Sequence, residues 1–286
     1  MSDAILERAD EKIDINDFTR LLHLNSNHSW LLNESKALFE LWCLSENEEQ
    51  KSLIEFLINN FSFIDGKSLT KGCQRIAEYI EDEWNLTPNN TFITALSDDS
   101  KPDGSQALIQ SLKNKFSNSW REFNFFNTIT VSANNIPSNS NLIIVDDFIG
   151  TGTKISRKLK YVKDTIHERK LRGVSISIVS LAAMNFSKEI LNSLNLKYFS
   201  VYWLKKGITE LMPCEQRGNA IKSMEELEEK LQNKCRGGQL PNFGYMRSES
   251  LFALEFNNIP NNVFPIFWWP ALKGGKHRRT LFKRVY

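Results

Sequence analysis

Residues 146–154 read Asp-Asp-Phe-Ile-Gly-Thr-Gly-Thr-Lys: an acidic pair, a turn of small residues, then a cation. Two adjacent carboxylates are acceptor-only groups and suit the neighbouring hydroxyls of a polyol. Small residues ahead of a helix leave backbone N–H groups free to hold an anion. Together, Asp146 and Asp147 with Gly150, Thr151, Gly152, Thr153 and Lys154 fit a sugar phosphate, the sugar on the acids and the phosphate on the turn.

Elements on both sides must position these residues. Leu142–Val145 is an apolar run too short for a helix, and it suits a strand buried on both faces of a parallel sheet, with the acids following at its carboxyl end. Beyond the turn, Ile155, Leu159, Val162 and Ile166 recur at i, i+4, i+7 and i+11, one face of an amphipathic helix. Strand, acids, tight loop and helix start is the order in which open α/β sheets present ligand sites. No Gly-Lys-Ser/Thr follows the strand, so this is not a nucleoside-triphosphate loop. Ile155 stands where a dinucleotide fingerprint needs its third glycine, and the acids precede the glycines instead of following them.

Val145-Asp146-Asp147-Phe148-Ile149-Gly150-Thr151-Gly152 resembles the phosphoribosyl pyrophosphate (PRPP) loop of type I phosphoribosyltransferases. The resemblance implies that Asp146 and Asp147 bind the ribose hydroxyls and that Gly150, Thr151, Gly152 and Thr153 cradle the 5′-phosphate. Family members carry Ser or Thr where this chain has Lys154, which meets a phosphate as a point charge. The resemblance also implies PRPP or another ribose phosphate as ligand, and Mg²⁺ beside Asp146 and Asp147. A second strand–loop–helix unit, Thr91–Leu96, Ser97–Ser105 and Ala107–Phe116, lies upstream. In the family such a loop binds pyrophosphate, which points to Lys101, Gly104 and Ser105, with Lys101 joining the two aspartates as a catalytic residue. The implied activity is glycosyl transfer from PRPP to an acceptor that no residue identifies. A non-catalytic sensor of PRPP or a nucleotide is the alternative.

The whole chain reads as α/β, with a doubly wound, mostly parallel sheet. Strands are expected at 91–96, 128–132, 142–146, 174–182 and 198–203, and helices at 69–84, 107–116, 186–194 and 224–232. Residues 1–62 form a helical cap, with Trp30, Leu38, Trp42, Leu53 and Phe61 in its core. Residues 63–204 form the α/β core, and 205–286 an irregular, hood-like carboxyl-terminal region. Asparagines, prolines and aromatics crowd residues 242–270. That stretch, with the Asp-Asp-Phe-Ile-Gly-Thr-Gly loop, is similar to a divergent phosphoribosyltransferase-like branch of prokaryotic conflict and anti-phage defence systems, sometimes beside reverse transcriptases. It implies a defence-system protein or a nucleic acid as partner.

Composition excludes more than it selects. The 286 residues are 41% hydrophobic and 24% charged with net charge +2, so overall charge does not point to nucleic acid. No apolar run reaches membrane-spanning length, and Met1-Ser2-Asp3-Ala4 does not open a secretory signal. Cys43, Cys73, Cys214 and Cys235 are scattered, which suits reduced thiols in a cytoplasmic protein. The basic residues from Lys273 to Arg284, near Trp268, Trp269 and Phe282, read as a flexible charged terminus or a nucleic-acid surface.

Overall fold

A computed structural model describes residues 14–97 and 103–285; Lys101 therefore lies outside the described residues. The chain forms two compact units. One comprises Ser62–Pro213 with Pro241–Phe264, and the other the segments up to Phe61, Cys214–Leu240 and from Pro265 onward. The expected region 205–286 is thus shared between both units. No described helix is long and apolar enough to cross a membrane.

In chain order, helices α1 (Ile15–Asn27), α2 (Ser35–Cys43) and α3 (Glu48–Asn59) come first. Asp14 and Asn47 cap α1 and α3 by accepting first-turn N–H groups. Strand β1 (Ser62–Ile64) leads to α4 (Gly66–Glu78). Asp65 accepts the Ser68 N–H at 2.7 Å and so caps that helix, which begins ahead of the expected residue 69. Then follow β2 (Thr91–Ala95), α5 (Gly104–Leu112), β3 (Phe125–Phe126), α6 (Ile129–Asn135), β4 (Asn141–Ile149) and α7 (Thr153–Glu168). Next are β5 (Ser175–Met184), α8 (Ser187–Ser193), β6 (Lys197–Leu204) and α9 (Cys214–Glu229). Short strands β7 (Lys234–Cys235) and β8 (Gly238–Gln239) pair antiparallel, and β9 (Phe252–Leu254) pairs parallel with β1.

Four sequence expectations are corrected. Residues 128–132 are not a strand: Thr128 caps α6, accepting the Val131 N–H at 3.4 Å. Burial of Ile129 and Ala133 on one helical face overrides the β preference of the branched residues, and Phe125–Phe126 takes the expected place in the sheet. Helix α5 starts at Gly104, because Asp103 and Gln106 form a capping box there. Helix α9 starts at Cys214, well before Met224. Finally, β4 runs on to Ile149, so the acidic pair lies inside the strand.

The first unit is built on a five-stranded, all-parallel sheet of order β3-β2-β4-β5-β6. The pleat sends alternate residues of β4 to opposite faces. Ile143 and Val145 pack with Leu108, Ile109 and Leu112 of α5. Leu142 and Ile144 pack with Ile155, Leu159 and Val162 of α7. Helices on both faces make the doubly wound architecture that the alternating pattern predicts. From β2 the chain crosses outward to β3, returns to β4, and proceeds the other way to β5 and β6. The crevice outside the carboxyl ends of β2 and β4 is therefore the switch point where such sheets bind ligands.

In the second unit Leu38, Leu41, Trp42, Leu53 and Phe61 are buried as expected, and Trp30 is half-buried against Phe282 at 5.3 Å. The basic terminus is not loose at Arg278. That side chain is only 8% exposed, and it donates to the carbonyls of Trp269, at 3.1 Å, and Ile266.

Candidate functional site

The two glycines after β4 are required for different physical reasons. A Cβ on Gly150 would lie 2.6 Å from the side-chain amide carbon of Asn262, so the bare Cα is what lets that side chain lie against the loop. Gly152 has φ +78° and forms the amino-terminal cap of α7, a left-handed conformation that costs glycine little. Between them Thr151 turns its hydroxyl to that of Thr153 at 3.0 Å. The first-turn N–H groups of α7 have no partner one turn back within the helix and carry the positive end of its dipole.

The pleat separates the adjacent acids. Asp147 packs against Gly104 at the start of α5, where a Cβ would lie 2.6 Å from the carboxyl carbon. Asp146 is 2% exposed and meets Lys154 of α7, Oδ1 to Nζ, at 3.4 Å. Lys154 also donates to Asp103 Oδ2 at 3.0 Å, which ties the start of α5 to the start of α7 across the crevice. Carboxylate oxygens of Asp103, Asp146 and Asp147 all lie within 4.8 Å of one another.

The electrostatics follow from this crowding. Burial pushes the Asp146 carboxyl well above its ordinary value; Lys154 offsets part of that, while Asp147 and Asp103 add repulsion. Burial, and then Asp103, raise Asp147 as well. Burial also works upward on Asp103, but Lys154 and the Ser105 hydrogen bonds bring it below its usual range. Burial works downward on Lys154, yet Asp146 and Asp103 hold its ammonium above the usual lysine value. The cation is thus locked in its charged form, while the most buried acid is left short of compensation.

Asp146, Phe148–Gly152, Lys154 and Ile155 line a cavity of about 180 Å³ with Tyr245, Asn261 and Asn262. The segment that brings in these last three is tightly specified. Gly244 (φ +78°) has no room for a Cβ beside the Asn262 carbonyl, Ser248 donates to that carbonyl at 2.9 Å, and the buried Glu249 carboxylate accepts N–H groups of Ile208 and Thr209.

The structure therefore brings together Asp146, Gly150, Thr151, Gly152 and Lys154 around one cavity, with Thr153 at the rim and Asp147 alongside. Gly104 and Ser105 sit in the first turn of α5. The Ser105 N–H and hydroxyl both donate to Asp103 Oδ1, at 3.0 and 2.9 Å. Sequence reasoning missed Asp103, Tyr245, Asn261 and Asn262. Only Asp103 had a local signal, the capping-box spacing to Gln106.

Hard carboxylate oxygens are the right donors for Mg²⁺. Here, however, the Lys154 ammonium already bonds two of the three carboxylates. The cluster as built does not fit a metal held by the protein.

A sequence model of the PRTase-CE family matches residues 28–284. Among curated proteins, none matches the chain. Solved structures similar to it include orotate phosphoribosyltransferase of Mycobacterium tuberculosis H37Rv, at 12% identity over 49% of this chain and 73% of that one, TM-score 0.33. Adenine phosphoribosyltransferase of Leishmania tarentolae is 14% identical over 48% of this chain and 71% of that one, TM-score 0.34. Hypoxanthine-guanine phosphoribosyltransferase of Schistosoma mansoni, in complex with IMP, is 11% identical over 50% and 67%, TM-score 0.35.

Proposed function

The chain belongs to the PRTase-CE family, and from that premise we propose that the crevice at the ends of β2 and β4 binds PRPP or a related ribose phosphate. One observation carries this reading. A single cavity is lined by a buried carboxylate and by the Gly150–Gly152 turn at the start of α7. In this assignment Asp146 and Asp147 accept hydrogen bonds from the ribose hydroxyls. The N–H groups at Gly152–Thr153 and the hydroxyls of Thr151 and Thr153 hold the 5′-phosphate.

The reaction class proposed is phosphoribosyl transfer. The bond between ribose C1 and the diphosphate oxygen breaks, positive charge builds on the ribose, and negative charge grows on the departing diphosphate. Carboxylates at the hydroxyls orient the sugar, and Lys101 is assigned to the leaving group, where a cation helps most as charge develops. Mg²⁺, expected with PRPP, belongs to this reading as a companion of the diphosphate and is given no ligands from the chain.

A specific observation favours a second reading, a PRPP sensor without turnover. Asp103 puts a carboxylate at the start of α5, beside the loop assigned to the diphosphate, and takes up both donors of Ser105. A negative group there opposes a diphosphate. We include in the proposal a role in prokaryotic anti-phage defence, which rests on the likeness of the 242–270 stretch. A nucleic-acid partner at the basic terminus has less support, since Arg278 is buried and bonded to backbone carbonyls.

Calorimetric titration with PRPP tests the site: binding should be lost in Asp146→Asn/Asp147→Asn, and equal affinity in both proteins would refute the assignment. A pyrophosphate-release assay with cell extract as acceptor source separates the two readings. Release that depends on Asp147 and Lys101 supports the transferase; binding without release supports the sensor. Loss of phage protection in the same double variant would support the defence role.

A further inference from the structure

Three carboxylates whose oxygens lie within 4.8 Å of one another repel, and one of them, Asp146, is buried. A buried charge needs a counter-charge or it destabilises the fold. In enzymes that handle phosphates, a divalent cation usually meets that need. Here a side chain supplies the cation instead. Lys154 reaches back from the first turn of α7 and places Nζ 3.0 Å from Asp103 and 3.4 Å from Asp146, on the wall of the cavity. Its side chain is 40% exposed, so the same ammonium faces the acids and the space beside them.

Mg²⁺ would bind these oxygens at about 2.0–2.1 Å and would compete with the ammonium for the same lone pairs. Either the lysine leaves or the metal stays out. The lysine is tethered at high effective concentration, and it already bonds two of the three carboxylates. We propose that Lys154 is the resident cation of this acidic cluster, and that it makes the crevice a ribose-phosphate site holding no divalent metal of its own. The ligand half of this proposal rests on the function proposed above; the metal half stands on the cluster alone.

The test uses Mn²⁺ followed by electron paramagnetic resonance on the full-length chain. The wild-type protein should show no Mn²⁺ site that depends on Asp146. Lys154→Thr should gain one such site per chain, about tenfold tighter than any in the wild type, because the Asp103 and Asp146 oxygens released by the lysine, with Asp147 beside them, now face the ion. Lys154→Thr/Asp146→Asn should lose it again, and Lys154→Arg, which keeps the cation, should behave as the wild type. An Asp146-dependent Mn²⁺ site in the wild type would overturn the proposal, and so would a folded Lys154→Thr protein, verified by circular dichroism, that gains none. In parallel, ribose 5-phosphate titrated with excess Mg²⁺ or with EDTA should bind the wild type equally well, and binding that requires Mg²⁺ would also overturn the proposal. Absence of binding in both buffers would count against the ribose-phosphate reading itself, and the Mn²⁺ result alone would then decide the metal question.

Discussion

Asp147 lies against the bare Cα of Gly104. A Cβ built there would come within 2.6 Å of the carboxyl carbon, a separation that real side chains do not tolerate. The contact joins the end of β4 to the start of α5, so one glycine fixes where one of the two acids assigned to the sugar can sit.

Gly104→Ala should therefore push the Asp147 carboxylate out of place while leaving the helix intact. Alanine is the better helix former by about 1 kcal/mol, which offsets part of the strain. PRPP affinity should fall on the order of tenfold, since small displacements of a positioning group are costly, with little change in melting temperature. Calorimetry and a thermal melt on the same preparation check this, and unchanged affinity would separate Asp147 from the ligand.

Gly152→Val should fail for two reasons at once. At φ +78° a branched side chain is strained, and its Cβ would lie 3.2 Å from Ile190 Cγ2. A loss of stability of roughly 1–3 kcal/mol is expected, with ligand binding abolished because the turn no longer closes on the phosphate. Chemical denaturation measures the first effect and calorimetry the second. A variant of native stability and affinity would show that the turn is not constrained as described.

Asp146 carries a pH signature. Its carboxyl is raised well above 3.8, by burial first, so the folded chain keeps that proton to higher pH than the unfolded chain does. The stabilising contribution of the protonated form is complete below about pH 4 and is lost as pH rises through the folded value. Asp146→Asn, always neutral, should thus melt higher than the wild type at pH 8, and the difference should shrink as the pH falls toward 4. The ion pair with Lys154 does not reverse the sign, because burial outweighs the lysine's attraction at this carboxyl. Melting curves across that range check the trend; a variant less stable than the wild type at pH 8 would contradict it.

What could be read from the sequence was local. The run Leu142–Val145 and the 3.6-residue repeat from Ile155 to Ile166 both lie within a few residues of the acids, and β4 and α7 follow from them. Thr128–Ser132 misled because β-branched residues favour strands only where the sheet has room, and here Phe125–Phe126 fill that place. Basic residues near a terminus suggest solvent, yet Arg278 is held by backbone carbonyls. The Lys154–Asp103 pair spans 51 residues, and the segment with Tyr245, Asn261 and Asn262 reaches the loop where Gly150 leaves room for the Asn262 side chain and Gly244 for the Asn262 carbonyl. No short-range pattern encodes such contacts.

The most direct test of the ribose-phosphate site is a crystal structure of the protein with ribose 5-phosphate. The expected result is a phosphate within hydrogen-bond distance, about 2.7–3.2 Å, of the N–H groups at Gly152–Thr153 and the hydroxyls of Thr151 and Thr153. The sugar hydroxyls should then lie on Asp146 and Asp147. A phosphate bound elsewhere, or a sugar that leaves both aspartates untouched, would contradict the assignment.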